Sequence, residues 1–317
     1  MDFGIHFGTR GCLVARDTVM TMAQRAEALG YAYLGVADHL IVPPQHGVRY
    51  AYTTDGVWPG SHTGECLDAI ATLCFLAGCT QRIKLLTSVV VVPYRPAVLA
   101  AKLFLTADVL SGGRAIAGVG TGWMPEEFAA LGAPPFEARG AVTDEYLQAW
   151  QTLWTEDRPA LAGKYAQFDN VVFQPKPVAQ PHLPIWVGGE SPAALRRTVR
   201  FGDAWYPGSG NQKMNMHTVA GLQAGIANLH RAADKAGRDP GSIDISYLWF
   251  ASPTWAAQQE ADGARRLFTG SAADMLEDVA ALEKAGARHI IVYPQHPTIE
   301  ATLDVMQRFA EEVIHTA

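Results

Sequence analysis

The feature that most constrains this chain is alternation: short β-rich runs and longer segments of helical period take turns from one end to the other. Phe3–Gly8, Tyr31–Val36, Arg82–Val92, Arg114–Val119, Ile185–Val187, Ala204–Tyr206, Ile243–Trp249 and His289–Tyr293 read as strands. Thr18–Leu29, Glu65–Ala77, Pro96–Leu110, Thr143–Trp154, Pro192–Phe201, His217–Ala236, Ala272–Lys284 and Ile299–Ile314 read as the helices that follow them. Gly30 and Gly112-Gly113 stand where a left-handed C-cap is wanted, and Pro96 and Pro192 fit a first helical turn. Eight such units suit either a closed (β/α)8 TIM barrel or an open doubly wound sheet. No Gly-x-Gly-x-x-Gly follows the first strand, which favours the barrel. Barrels of this kind run ~250 residues or more as one unit, so residues 1–317 are expected to form a single domain.

Charge narrows the partners. Lys+Arg 25 against Asp+Glu 31 leaves −6, which opposes a fold-wide affinity for nucleic acid. No apolar run reaches the ~18 residues of a membrane span, and Met1 leads straight into Asp2-Phe3-Gly4-Ile5 without a basic and then apolar leader. Cys12, Cys66, Cys74 and Cys79 form no CxxC pair, so they read as core thiols of a reduced, cytoplasmic protein.

In a barrel, chemistry gathers at the strand C-termini, and the unusual residues stand there. In Gly188-Gly189-Glu190-Ser191-Pro192, Ser191 can cap a helix while two glycines let backbone N–H groups approach an anion, with Arg196 or Arg197 one turn on. An ordinary strand-to-helix turn explains the same residues. Gly118-Val119-Gly120-Thr121-Gly122 could admit a flat ligand against the backbone, or simply form a tight turn. His39, after Asp38, can exchange protons at a barrel mouth; a structural histidine is the competing reading. His39, His46 and His62 are too irregular for a metal site, so none is expected, and a zinc hydrolase ranks last. Trp58, Tyr94, Trp123, Trp249 and Tyr293 fall near strand ends, where Trp58, Trp123 and Trp249 are candidates to wall a substrate pocket.

The order and spacing of Arg25-Ala26-Glu27-Ala28-Leu29-Gly30-Tyr31, Val36-Ala37-Asp38-His39, Val92-Pro93-Tyr94-Arg95-Pro96, Leu110-Ser111-Gly112-Gly113-Arg114, Gly118–Trp123, Pro184–Gly189 and Ser191–Arg197 resemble the luciferase-like monooxygenase superfamily. Within it, the chain is similar to the coenzyme F420-dependent oxidoreductases. The resemblance implies a barrel with the cofactor ring at the strand C-termini and its phosphate on the turn at Gly188, Gly189, Glu190 and Ser191. It implies a non-proline cis peptide at Ser88–Val89 backing the ring, ring contacts from Asp38, Gly120, Thr121 and Gly122, and His39 as the proton-transfer group. Pro43 and Trp123 replace a tryptophan and a glutamate of the superfamily's sugar-phosphate dehydrogenases, which implies a more apolar substrate.

Three functions compete. The first is hydride transfer between coenzyme F420 and a small organic substrate, with His39 giving or taking the proton. The second is a two-component monooxygenase using reduced FMN and O2, fed by a separate reductase. The third is a flavin-like binder without turnover. The loops at 40–62 and 155–184 are expected to shape the substrate side, and a homodimer would follow the superfamily's common habit.

Overall fold

The computed structural model of the chain describes residues 1–43, 47–53 and 55–317. Eight parallel strands carry the fold: β1 (Asp2–Phe7), β2 (Tyr33–Val36), β3 (Lys84–Thr87, resuming at Val90–Val91), β4 (Ala115–Gly120), β5 (Ile185–Gly188), β6 (Ala204–Tyr206), β7 (Asp244–Trp249) and β8 (His289–Val292). They follow one another around the ring in chain order, and β1 closes on β8 through Asp2↔His289 and Ile5↔Val292. The expected (β/α)8 barrel is therefore the fold. Two glycines let its strands come together: a Cβ on Gly118 would stand 1.8 Å from the Thr87 carbonyl oxygen, and one on Gly4 would stand 2.6 Å from Tyr33 Cβ. Tyr33, Leu86, Ile116, Trp186, Leu248 and Ile291 fill the barrel interior. A larger apolar layer joins the outer strand faces to the helices. With both faces buried, the strands read as continuous apolar runs rather than alternating ones.

Helix Pro192–Phe201 and strand Ala204–Tyr206 lie where the sequence places them. Helix Ala69–Cys79 starts later than Glu65 because Asp68 caps it, accepting from the Ala71 N–H at 2.8 Å. Helix Ala97–Ser111 stops at Gly112, whose φ is +70°. Helix Arg139–Thr155 begins earlier than Thr143, and a short helix, Pro125–Ala130, follows β4 unannounced. The final helix spans Ile299–Phe309 and widens to a π turn over Ala310–Ile314. The largest departure is in the run Arg82–Val92. It is not one strand: the Ser88–Val89 peptide is cis, as the resemblance implies, and the chain bulges there before Val90 and Val91 rejoin Val119 and Gly120. Among the described residues, no helix is long and apolar enough to cross a membrane.

Candidate active site

The C-terminal ends of the strands open on a cavity of about 310 Å³. Its β3–β5 side is nearly bare backbone. Gly120, Thr121 and Gly122 end β4, Gly188 and Gly189 end β5, and all of them line the cavity beside Ser88 and Val89 of the bulge. A Cβ on Gly120 would stand 2.7 Å from Val89 Cγ2, so a side chain there would push into the bulge. Gly189 has a φ of +96°, which L side chains rarely adopt.

Ser191 caps its helix, accepting from the Ala194 N–H at 3.2 Å, and does not line the cavity. Glu190 is 4 % exposed, and its carboxylate accepts from the Gly208 N–H at 2.8 Å, Asn211 Nδ2 at 2.7 Å and the Tyr52 hydroxyl at 3.2 Å. It braces the β6 end and Tyr52 and does not line the cavity. Burial raises its pKa, against the pull of those hydrogen bonds. Arg197 is committed to Asp144 at 2.5 Å and the Gly140 carbonyl at 3.1 Å, so it does not serve the turn.

Beside that wall, β2 is followed by Asp38-His39. Both Asp38 oxygens accept from Arg95, at 2.7 and 3.0 Å, and one also accepts from the Val91 N–H at 2.9 Å. Asp38 borders the cavity, but its carboxylate ties β2 to the resumed half of β3; Arg95 reaches on to Asp68 at 2.7 Å. His39 lines the cavity with its ring centroid 4.2 Å from that of Trp58. His39 Nδ1 lies 2.8 Å from Glu127 Oε2. Glu127, on Pro125–Ala130, is fully buried and also accepts from the Leu40 N–H at 2.7 Å, the Ile41 N–H at 3.2 Å and the Tyr94 hydroxyl at 2.7 Å. Burial alone would raise the Glu127 pKa, but the His39 bond and charge, with the Leu40 and Tyr94 donors, hold it below the usual carboxylate value. An ionised carboxylate only accepts, so His39 carries its proton on Nδ1 toward Glu127. Among the described residues, Nε2 has no hydrogen-bond partner.

Deeper in the mouth, His6 Nδ1 lies 2.9 Å from Ser88 Oγ, which lies 2.8 Å from the Tyr206 hydroxyl, so this buried line holds the bulge from inside the barrel. Burial, helped by the Arg10 charge, lowers the His6 pKa to about 3. At the barrel floor, His289 bonds Ser246 at 2.8 Å and stacks on Trp186, and burial lowers its pKa to about 4. Both histidines fold neutral. Below pH ~6.5 the unfolded chain takes up protons that the folded one refuses, so stability is full above that pH and falls as pH drops toward 4. Each histidine contributes a slope of just over ~1 kcal/mol per pH unit. Urea unfolding at pH 6.5, 5.5 and 4.5 is expected to show a shallower decline in His289→Gln than in the parent. Parallel declines would mean that His289 does not titrate on unfolding.

Of the three candidate pocket tryptophans, Trp58 and Trp123 line the cavity and Trp249 does not. It is 1 % exposed in the outer layer, with its ring 5.6 Å from that of Phe268. Strand parity explains this: β7 turns Leu248 inward and Trp249 outward, so the next cavity residue is Phe250. The loop after β2 crosses the mouth, with Tyr50 4.9 Å from Trp123 and Tyr52 stacked 5.5 Å from Phe250. His46 lies outside the described residues. The segment 155–184 contributes no described residue to the cavity. It packs along helix Ala97–Ser111, where Asp108 accepts from the Val178 N–H at 2.7 Å and Lys102 donates to the Gln174 carbonyl at 2.6 Å. Sequence reading missed Glu127, Arg10, His6, Tyr206, Tyr50, Tyr52 and Phe250.

The luciferase-like monooxygenase family matches residues 4–301. The chain is similar to pyrimidine monooxygenase RutA of Allorhizobium ampelinum, with 28 % identity over 247 residues, covering 75 % of this chain and 64 % of that protein. It is also similar to the FMNH2-dependent dimethylsulfone monooxygenase of Pseudomonas putida, with 33 % identity over 198 residues, covering 62 % and 52 %. The chain thus spans about half to two thirds of the length of these relatives. Among solved structures, an F420-dependent secondary alcohol dehydrogenase in complex with an F420–acetone adduct shares the fold at a TM-score of 0.76 and 18 % identity, covering 100 % and 99 % of the two chains.

Proposed function

The chain belongs to the luciferase-like monooxygenase family, and from that premise we propose that it is an oxidoreductase using coenzyme F420 on a small organic substrate. The observation that carries this reading is that His39, held by Glu127, faces the same cavity as the glycine wall of β4 and β5. That wall suits a flat ring. Gly120, Gly122, Gly188 and Gly189 present backbone, Val89 stands behind them, and a Cβ on Gly120 would press into Val89. When bound, the deazaflavin supplies or accepts a hydride.

The residues of the chain supply the rest. His39 Nε2 takes the hydroxyl proton when an alcohol carbon gives up its hydride, or returns a proton to the carbonyl oxygen in the reverse direction. Glu127 fixes the tautomer and offsets the imidazolium charge. Trp58 and Trp123 keep water from the reacting atoms, and Asp38 with Arg95 holds the bulge in register.

A second reading is favoured by a separate observation: two relatives of the chain are named as monooxygenases, one of them FMNH2-dependent. On that reading the same cavity takes reduced FMN supplied by a separate reductase, with O2 as co-substrate. Titration of the purified protein with F420 and with FMN, following cofactor fluorescence, separates the two. Micromolar binding of F420 with FMN at least tenfold weaker is the expected result. The reverse preference, with oxygen consumption on addition of reduced FMN, would replace the F420 reading. Binding of neither would remove both.

A further inference from the structure

Among the described residues, the cavity holds one charge that this reading leaves unused. Three carboxylates stand in or beside its walls, and each is committed: Asp38 to Arg95, Glu127 to His39 and Tyr94, and Glu190 to Asn211 and Gly208. Arg10 is different. It lines the cavity at the end of β1, and its Nη2 donates to the Tyr293 hydroxyl at 2.5 Å. Its Cζ lies 5.7 Å from the Trp58 ring and 5.9 Å from the Tyr293 ring. Among the described residues, no carboxylate comes within ion-pair distance of it. Its backbone is held in place: Gln295 Nε2 donates to the Arg10 carbonyl at 3.1 Å, and Gln295 Oε1 accepts from the Gly8 N–H at 2.9 Å. The site is therefore a fixed guanidinium, half-buried between two aromatic rings, with donors to spare and no anion supplied by the described residues.

Topology says which ligand meets it. The bare-backbone wall belongs to β3, β4 and β5, whereas β1 lies across the barrel from β5, between β8 and β2. Arg10 thus stands across the cavity from the glycine turn after β5, beside His39, which follows the neighbouring β2. Trp58 neighbours both, with its ring 4.2 Å from the His39 ring and 5.7 Å from Arg10 Cζ. The two groups are therefore no more than about 10 Å apart. After contact distances at each end, an occupant touching both has room for a spacer of only a few bonds.

We propose that Arg10 is a substrate-recognition residue that takes the carboxylate of a small, flat, otherwise apolar monocarboxylic acid, with the reacting carbon of that acid placed against His39. The inference rests on the oxidoreductase reading above for the role of His39. It also refines the apolar substrate that Pro43 and Trp123 imply: the body of the molecule is apolar, and one end is anionic. A charge-assisted pair with a carboxylate in this half-buried setting is directional and strong, while a neutral isostere leaves the guanidinium unpaired.

The test uses benzoate and its neutral isostere benzamide, titrated into the full chain with tryptophan fluorescence as the signal, since Trp58 and Trp123 line the cavity. In the parent, benzoate is expected to bind at least tenfold tighter than benzamide. Arg10→Gln should bring benzoate down to the affinity of benzamide while moving benzamide less than threefold, and Arg10→Lys should keep part of the preference. Equal affinities in the parent, a preference that survives Arg10→Gln, or no binding of either probe would each overturn the proposal. The F420 and FMN titrations are repeated on the parent and on Arg10→Gln. A benzoate preference without binding of either cofactor sinks the oxidoreductase reading and leaves the anion site standing. Cofactor binding without the preference sinks the anion site alone.

Discussion

Replacing His39 by alanine is expected to lower turnover by ~10²–10⁴-fold, the usual worth of a positioned proton-transfer group, while cofactor affinity stays within about threefold. The separation follows from where the ring stands. Its Nδ1 is spent on Glu127 and its face rests on Trp58, so its contribution to binding is packing, whereas Nε2 is the position that trades a proton on the proposed reading. The check is steady-state kinetics with whichever substrate supports turnover, beside a cofactor titration of the same variant. Glutamine at position 39 is the informative companion: it keeps hydrogen-bonding capacity but cannot shuttle a proton, so it should fail as badly as alanine. If both variants turn over within threefold of the parent, His39 is structural and the proton comes from elsewhere. If both bind cofactor and the parent itself never turns over, the flavin-like binder is the better description.

The barrel was legible because helical and strand periods differ, and glycines and prolines punctuate the joints between them. Pro192–Phe201 could be placed to the residue since Ser191, Pro192 and Gly202 mark both ends. His39 was legible from its place after a buried strand. Where reading failed, the deciding fact was three-dimensional. In β7, Leu248, Trp249 and Phe250 are all apolar, so the pattern cannot say which of them faces inward, and a shift of one position exchanges cavity for outer core. Glu127 follows Glu126 on a short helix and looks like one of two surface acids. Only the return of the chain beneath the β2 loop buries it against Leu40, Ile41 and His39. Its nearest signal was the Gly-Thr-Gly turn five residues upstream, read as a ligand contact and not as the lead into a helix. Arg10 reads as a loop charge for the same reason, because nothing local says that Trp58 and Tyr293 will stand on either side of it.

Glu127→Ala is expected to destabilise the fold by about 3–5 kcal/mol, the range found when one partner of a buried ionic or hydrogen-bonded pair is removed. The Leu40 and Ile41 N–H groups, the Tyr94 hydroxyl and His39 Nδ1 would all lose their acceptor, and stranded buried donors cost about 1–3 kcal/mol each before relaxation. Glutamine keeps an acceptor for the two backbone groups, so Glu127→Gln should cost less, about 1–2 kcal/mol. The effect carries a pH signature. Because the folded carboxyl titrates below its unfolded value, its stabilisation is complete above the ordinary carboxylate range and disappears as pH falls through the folded value. Urea unfolding of parent and alanine variant should therefore differ most near neutrality and converge in acid. A deficit of less than about 1 kcal/mol at neutral pH would mean that the β2 loop finds other acceptors once the carboxylate is gone. The orientation of His39 would then have to be attributed to Trp58 and Trp123, whose rings stand 4.2 and 6.2 Å from it.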